Sequence, residues 1–388
     1  MTSLSAGFVD TARTRLATRL SFFVAGFLMA CFAPLVPFAK ANVGVGEGEL
    51  GLILFCLGVG SIIAMPLTGW ISAQIGSKPM ILTGGLGLVL LLPVLLLIFD
   101  PLLLAAALLV FGASLGTIDV AMNVHAVEIE KSARRPLMSG FHAMFSLGGF
   151  AGAGAITFLL SREVSPFASA LCASALALVA ILLAWPRLLQ IRGGKASALV
   201  SPRGMALVLP RGIVLLLPVL AGLTFLVEGA ILDWSALLLL DRNLVDSTQG
   251  GLGYMLFSMA MTVGRLTGDQ VVGRLGARRV LFWGGLLTVG GFVVLLTVRW
   301  TPALLGFVLI GFGASNIVPV LLSLAGRQTV MPAGLAVAAV TSTGYAGVLA
   351  GPAAVGFVSH VLNLPMAFWL LTALITIVPI FARSATRP

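Results

Sequence analysis

The sequence predicts an all-α membrane protein, with twelve transmembrane helices in two pseudo-symmetric six-helix bundles. Three observations lead there: composition, the spacing of apolar runs, and an internal repeat. Of 388 residues, 59% are hydrophobic and only 9% are charged, against about 25% charged in a soluble domain. A chain this apolar has too little polar surface to present to water, which excludes a cytosolic enzyme. At roughly 20 apolar residues per crossing, it has room for about a dozen helices joined by short loops.

Taken in order, the first run (19–40) follows Arg13, Arg15 and Arg19 and stops at Lys40. It is too long for a signal peptide and lacks a small-residue cleavage exit, so it reads as a retained helix behind a cytoplasmic tail. The second (49–72) and third (79–99) are separated by Gly76-Ser77-Lys78. The fourth (102–128), fifth (137–160) and sixth (166–185) follow, with Arg162 between the last two. The polar stretch 186–212 reads as a flexible cytoplasmic linker. It carries Arg187, Arg192, Gly193, Gly194, Lys195, Pro202, Arg203 and Arg211. The second half repeats the pattern at 213–240, 249–271, 280–298, 302–325, 332–359 and 365–382. The domains are therefore 1–185, the linker, and 213–388.

With both termini inside, 18 basic residues face the cytoplasm and four (Lys40, Arg162, Arg242, Arg299) face outward, with Arg265 inside a helix. The positive-inside rule selects this orientation, in a bacterial inner membrane. The net charge of +10 forms no concentrated patch, so nucleic acid is not implied. The linker's cations could meet anionic lipid, though orientation alone accounts for them. Cys31, Cys56 and Cys172 lie in apolar runs without metal-ligand spacing and read as packing residues. No nucleotide loop, metal cluster, cofactor motif or nucleophile constellation is present, so no cofactor is expected.

The repeat is visible in four ordered matches. Leu67-Thr68-Gly69 recurs as Leu266-Thr267-Gly268, and Gly76-Ser77-Lys78 as Gly276-Ala277-Arg278. Gly84-Gly85 recurs as Gly284-Gly285, and Phe111-Gly112-Ala113-Ser114 as Phe312-Gly313-Ala314-Ser315. The offsets drift only from 199 to 201 residues. Six helices separate the copies, so both have the same orientation, as in transporter halves related by an axis along the membrane normal.

These features resemble the major facilitator superfamily. Gly69-Trp70-Ile71-Ser72-Ala73-Gln74-Ile75-Gly76-Ser77-Lys78 is similar to that superfamily's G-x-x-x-D-x-x-G-x-K/R loop, with Ala73 where the acid is expected. The second copy carries its acid at Asp269, beside Gly264, Arg265 and Gly268. Asp119-Val-Ala-Met-Asn123, Met138-Ser-Gly-Phe-His142, Glu228-Gly-Ala-Ile-Leu-Asp233-Trp234-Ser235 and Met261-Thr-Val-Gly-Arg265 resemble the bacterial YbjJ-type branch. That branch is related to fucose permeases and to proteins linked to rhizopine transport. The resemblance implies the major facilitator fold and secondary transport. Two departures stand out. The first helix lacks the acid of fucose permease-like symporters, and the fifth lacks the Gly-Pro of drug antiporters. Gly-Pro occurs instead in the eleventh, at Gly351-Pro352, among Gly347 and Gly356. Packing, or a kink, accounts for that stripe.

Intramembrane charges mark the expected site, because each costs about 2.5–3.5 kcal/mol on insertion scales. Asp119 shares a face with Asn123, Gly116 and Gly112, a small, polar stripe suited to lining a cavity. An Asp–Asn bond to a neighbouring helix is the architectural alternative. Glu228 lies near the middle of the seventh helix. Both carboxyls break the repeat, since their counterparts in the other half are Val320 and Met29. Proton coupling is expected of Asp119 and Glu228, and of His142 near the inner mouth. A neutral Glu228 bonding a solute hydroxyl, or one paired with Arg265, is the alternative, and Arg265 is expected much nearer the cytoplasm. His125 and Glu128 are expected in solvated or gate positions. Asn123, Asp233, Trp234, Asn316 and Tyr345 are candidates for solute binding. Arg265 and Asp269, one turn apart, with Lys78, form an expected cytoplasmic gate.

Three function classes follow. The leading one is proton-coupled symport of a small polar, sugar- or polyol-like solute by alternating access, with protons, solute and membrane lipid as partners of a monomer. Proton-driven export of drugs or metabolites would use the same carboxyls with a more aromatic cavity. A non-transporting sensor would have a dry interior in which those carboxyls are dispensable.

Overall fold

A computed structural model of the chain describes residues 11–190, 213–244, 251–299 and 301–387. Arg192, Gly193, Gly194, Lys195, Pro202, Arg203 and Arg211 of the expected linker lie outside the described residues. Among the described residues there are twelve helices of membrane-spanning length. They are α1 (Ala12–Val43), α2 (Glu47–Ile75), α3 (Ser77–Val94), α4 (Pro101–Ala133), α5 (Met138–Ser161) and α6 (Pro166–Arg187). The second six are α7 (Ile213–Asp241), α8 (Leu252–Leu275), α9 (Ala277–Thr297), α10 (Pro302–Arg327), α11 (Ala333–Val361) and α12 (Leu364–Ala385). Eleven are apolar enough to cross a membrane by composition alone. The twelfth, α8, carries Arg265, Asp269, Gln270 and Arg274 in 24 residues, which at 1.5 Å per residue still reach about 36 Å.

The helix ends follow local chemistry. Thr11 caps α1 reciprocally: its hydroxyl accepts from Thr14 N at 3.1 Å, and Thr11 N donates to the Thr14 hydroxyl at 3.0 Å. The helix therefore begins at Ala12, and Arg13, Arg15 and Arg19 lie within it instead of in a tail. Asp100 caps α4 through Leu103 N at 2.8 Å, with Pro101 next. Gly76 and Gly276 join α2 to α3 and α8 to α9 with φ of 95° and 79°, the left-handed region where only glycine is unstrained. α10 is interrupted at Ser315 and Asn316. The outward surface is apolar: Leu52, Leu102, Phe357 and Ile380 are 71%, 82%, 72% and 68% exposed, as lipid contact allows and water does not.

The chain divides into two compact units. The first comprises Met1–Arg135, Met144–Val208 and Met331–Ala338; the second comprises Pro136–Ala143, Leu209–Val330 and Ala339–Pro388. The first turns of α5 and α11 thus each belong with the other half's helices. Within the first unit, Gly69 lies against Gly334 and Ala338 at the start of α11.

The sequence repeat maps onto equivalent interfaces with one shift of register. A Cβ on Gly112 (α4) would overlap Leu57 O of α2. The residue that does the same to Phe257 O of α8 is Gly311 (α10), and not the Gly313 of the sequence match, which packs on Gly284 and Thr288 of α9. Gly85 meets Ile181 of α6, and Gly285 meets Pro379 of α12. Gly148 and Gly152 of α5 seat α1, while Gly347 and Gly351 of α11 seat α7. This last correspondence, at an offset of 199 in both cases, was absent from the four sequence matches. It accounts for the α11 glycines by close packing, and α11 is a continuous helix through Gly351 and Pro352.

Candidate functional site

In the first unit, the buried polar residues of α4 lie along one length of helix. Asp119 is 9% exposed and Asn123 1%. The Asn123 side-chain amide donates to Asp119 O at 2.9 Å and to Asp119 Oδ1 at 3.3 Å, so the Asp–Asn pair is made within one helix. No Lys, Arg or His among the described residues forms an ion pair with Asp119. Gly112 and Gly116 do not line a cavity beside it. They press on the backbone of α2 at Leu57 and Ser61, and Ser61 Oγ donates to Gly112 O at 2.8 Å. Small residues on that stripe serve helix approach, which a helical wheel cannot distinguish from a cavity wall.

His125 is fully buried, contrary to the solvated position expected. Leu189 N donates to His125 Nε2 at 3.1 Å, so the proton of the neutral ring sits on Nδ1. Nδ1 is 3.1 Å from Thr18 Oγ1, which donates to Thr14 O at 3.0 Å. The chain of bonds ties α4 to α1 and to the end of α6. Glu128 pairs with Lys131 one turn away at 2.8 Å. Lys78, half-buried at the start of α3, is near enough to His125 to act on it electrostatically.

In the second unit, Glu228 Oε2 lies 3.7 Å from Arg265 Nη2, where separation was expected. Glu228 is 13 residues before Asp241, and Arg265 is 13 residues after Leu252. Each is thus about 20 Å from the loop joining these antiparallel helices, at one depth. At 3.7 Å the contact is an ion pair without hydrogen-bond geometry, and Glu228 Oε1 is buried without a hydrogen-bond partner. Arg265, 8% exposed, also directs Nε to Ser315 O at 3.4 Å. That carbonyl is available because residue 319 is proline: it has no N–H to donate four residues back. Asn316 fills the break in α10, donating to Gly264 O at 3.0 Å and Ser315 Oγ at 2.9 Å. Its Oδ1 is buried without a partner, in the space a side chain on Gly268 would occupy.

Around this pair stand His142, within electrostatic reach of Arg265, and Tyr254. Tyr254 bonds Ser258 and feels Glu228, Arg265 and Asp233. Sequence reading missed Tyr254; its place on the same face of α8 as Arg265, about three turns earlier, was the available signal. Asp233 is exposed, whereas Trp234 is half-buried against Gly356 of α11, with Nε1 buried and unpartnered. Tyr345 is half-buried on α11. Asp269 Oδ2 accepts from Gly140 N at 3.1 Å, placing a carboxylate on the first turn of α5, where the helix dipole favours it.

Comparison with known proteins gives one family and close relatives along the whole length. The profile described as Major Facilitator Superfamily matches residues 20–329. An uncharacterized MFS-type transporter of Yersinia pestis is 46% identical over 376 residues, covering 96% of each chain. Among solved structures, the transporter FucP in its outward conformation superposes with a TM-score of 0.81 at 18% identity, covering 98% of this chain and 100% of that one. A variant of the E. coli fucose:proton symporter FucP gives 0.77 at 18%, covering 96% and 98%. At such identities the structural likeness speaks for the fold.

Proposed function

Because the chain belongs to the Major Facilitator Superfamily, a superfamily of transporters, we propose that it couples proton entry to import of a small sugar- or polyol-like solute. The observation that carries this reading is Asp119, a buried carboxyl with an amide partner and no cation. An uncompensated charge there costs about 2.5–3.5 kcal/mol, and taking up a proton removes that cost. Asp119 is the proposed proton carrier, with Asn123 orienting its oxygen; His142 and Glu228 are further candidates for proton coupling.

The Glu228–Arg265 pair supports solute coupling. Its length leaves Oε1 open to a donor, and a solute hydroxyl would supply one. Trp234 Nε1 offers a donor in return, beside Asp233 in sequence, and Tyr254 and Tyr345 are further candidates for solute contact. Asn316 holds the α10 break that presents Ser315 O to Arg265. Asp269 of α8, which accepts from Gly140 N, and Lys78 are each proposed to serve a cytoplasmic gate, from which Arg265 drops out because it pairs with Glu228 at mid-helix. The 18 inner and four outer basic residues support cytoplasmic termini in a bacterial inner membrane. The two six-helix bundles, 1–185 and 213–388, joined through 186–212, are the proposed units of a monomer that works by alternating access. The quoted motifs support the YbjJ-type branch, and the likeness to a fucose:proton symporter supports the solute class.

Proteoliposomes test this reading with sugars, polyols and cationic dyes, reading proton movement with an internal pH dye. Proton entry with a sugar or polyol is expected. Proton exit against a dye would replace symport with export, and no solute-linked proton movement across a broad panel would remove the proposal.

A further inference from the structure

A second site lies away from these carboxyls, at the end of the second unit where α9 begins and α12 ends. Gly285 and Pro379 hold the two helices in contact. Beyond that contact they part around a groove of about 490 Å³ lined by Arg278, Arg279, Phe282, Pro379, Ile380 and Arg383. All three arginines are exposed, and none has a carboxylate partner among the described residues.

Their position is electrostatically unfavourable without a ligand. Arg278 and Arg279 occupy the first turn of α9, where Gly276 supplies no side-chain cap and no acid is present. A helix N-terminus already carries partial positive charge and favours anions. Two guanidinium groups there, with a third from α12, form a strong anion-binding set. The groove is also amphipathic. Phe282, Trp283 and Ile380, 41%, 58% and 68% exposed, continue from the arginines along the lipid-facing side.

The repeat shows that architecture alone does not require this cluster. The equivalent α3–α6 contact, Gly85 on Ile181, is present in the first unit. There Arg278 corresponds to Lys78 but Arg279 corresponds to Pro79, and Arg187 donates to Leu183 O of its own helix. The packing recurs and the cationic groove does not.

We propose that the α9–α12 groove binds the phosphodiester head group of an anionic diacyl phospholipid, with Arg278, Arg279 and Arg383 on the phosphate and an acyl chain along Phe282 and Ile380. Guanidinium groups suit phosphate oxygens through paired N–H donors. The apolar continuation selects an amphiphile over free phosphate. In the orientation proposed above, the lipid belongs to the cytoplasmic leaflet, where basic pockets between helices hold such head groups.

The test uses the full chain purified in neutral detergent and native mass spectrometry with phosphatidylglycerol, phosphatidylcholine of the same acyl chains, and inorganic phosphate. Phosphatidylglycerol should bind roughly tenfold or more tightly than phosphatidylcholine, and millimolar phosphate should not displace it. The R278Q/R279Q/R383Q variant should lose that preference, while R134Q/R135Q/R387Q should keep it. Equal binding of the two lipids, displacement by phosphate alone, or an unchanged preference in the groove variant would each overturn the proposal. The head-group comparison uses the unaltered chain, so it decides the matter even if the groove variant fails to fold. Transport plays no part in the readout, and the result stands apart from the symport reading.

Discussion

At the scale of single residues, the Glu228–Arg265 contact makes the sharpest energetic statement. Removing one partner of a buried ion pair leaves the other charge uncompensated, typically at a cost of about 3–5 kcal/mol. Glu228→Gln is therefore expected to lower the melting temperature in detergent markedly, and Arg265→Gln likewise. The double variant should recover most of the loss, because both charges then leave the interior together. Additive losses would show that the two side chains do not share an interaction. The residues proposed for coupling stand out in the sequence, since Asp119, Glu228 and Arg265 are charges against an apolar background. Their partnerships were less so. Arg265 was expected far from Glu228 because the start of α8 was set three residues early (249 against Leu252). His125 looked solvated because its partners, Thr18 and the Leu189 amide, come from segments 107 and 64 residues away.

At the scale of helices, glycine position determines which pairs of helices touch. Gly112 rests on the backbone of α2, whereas Gly154 on α5 has nothing within 4 Å of where a Cβ would be. Gly112→Val is expected to force α2 and α4 apart and abolish recovery of monodisperse protein, while Gly154→Val leaves yield near normal. Size-exclusion chromatography of the two variants checks this, and equal yields would contradict the packing account. The break in α10 gives a second prediction at this scale. Pro319→Ala returns an N–H that can bond Ser315 O, closing the gap and competing with Arg265. Pro319 stands in the first turn after the break, where proline costs little, so the melting temperature should change little. Transport should nevertheless fall at least several-fold. Unchanged transport would mean that the carbonyl does not position Arg265. Twelve apolar runs predicted the helices, because hydropathy and span length are local properties, but polar ends extend or trim the spans: α1 starts at Ala12 against 19, α3 ends at Val94 against 99 and α4 at Ala133 against 128. The α10 break was not predicted, since Pro319 alone does not say which cation will take the freed carbonyl.

For the whole molecule, the repeat and the charge asymmetry carry the account. The offset near 199 residues foretold equivalent interfaces, and Gly148/Gly347 and Gly152/Gly351 extend it. The residues proposed for proton coupling, Asp119 and Glu228, have no acidic counterpart in the other half. Orientation has its own check. Cysteines introduced at Arg162 and Arg134, in a chain with Cys31, Cys56 and Cys172 replaced, should react differently with an impermeant maleimide on intact cells. The first should label and the second should not; the reverse pattern would invert the proposed topology. The central claim, that Asp119 carries the coupled proton, is tested most directly by separating exchange from accumulation in one preparation. Wild type and Asp119→Asn would be reconstituted, then assayed for solute counterflow without a pH gradient and for uphill uptake driven by one. A neutral residue at 119 should preserve counterflow and abolish gradient-driven accumulation, because the carrier can still exchange solute but no longer takes up or releases the proton. Accumulation at the wild-type level in Asp119→Asn would contradict the claim.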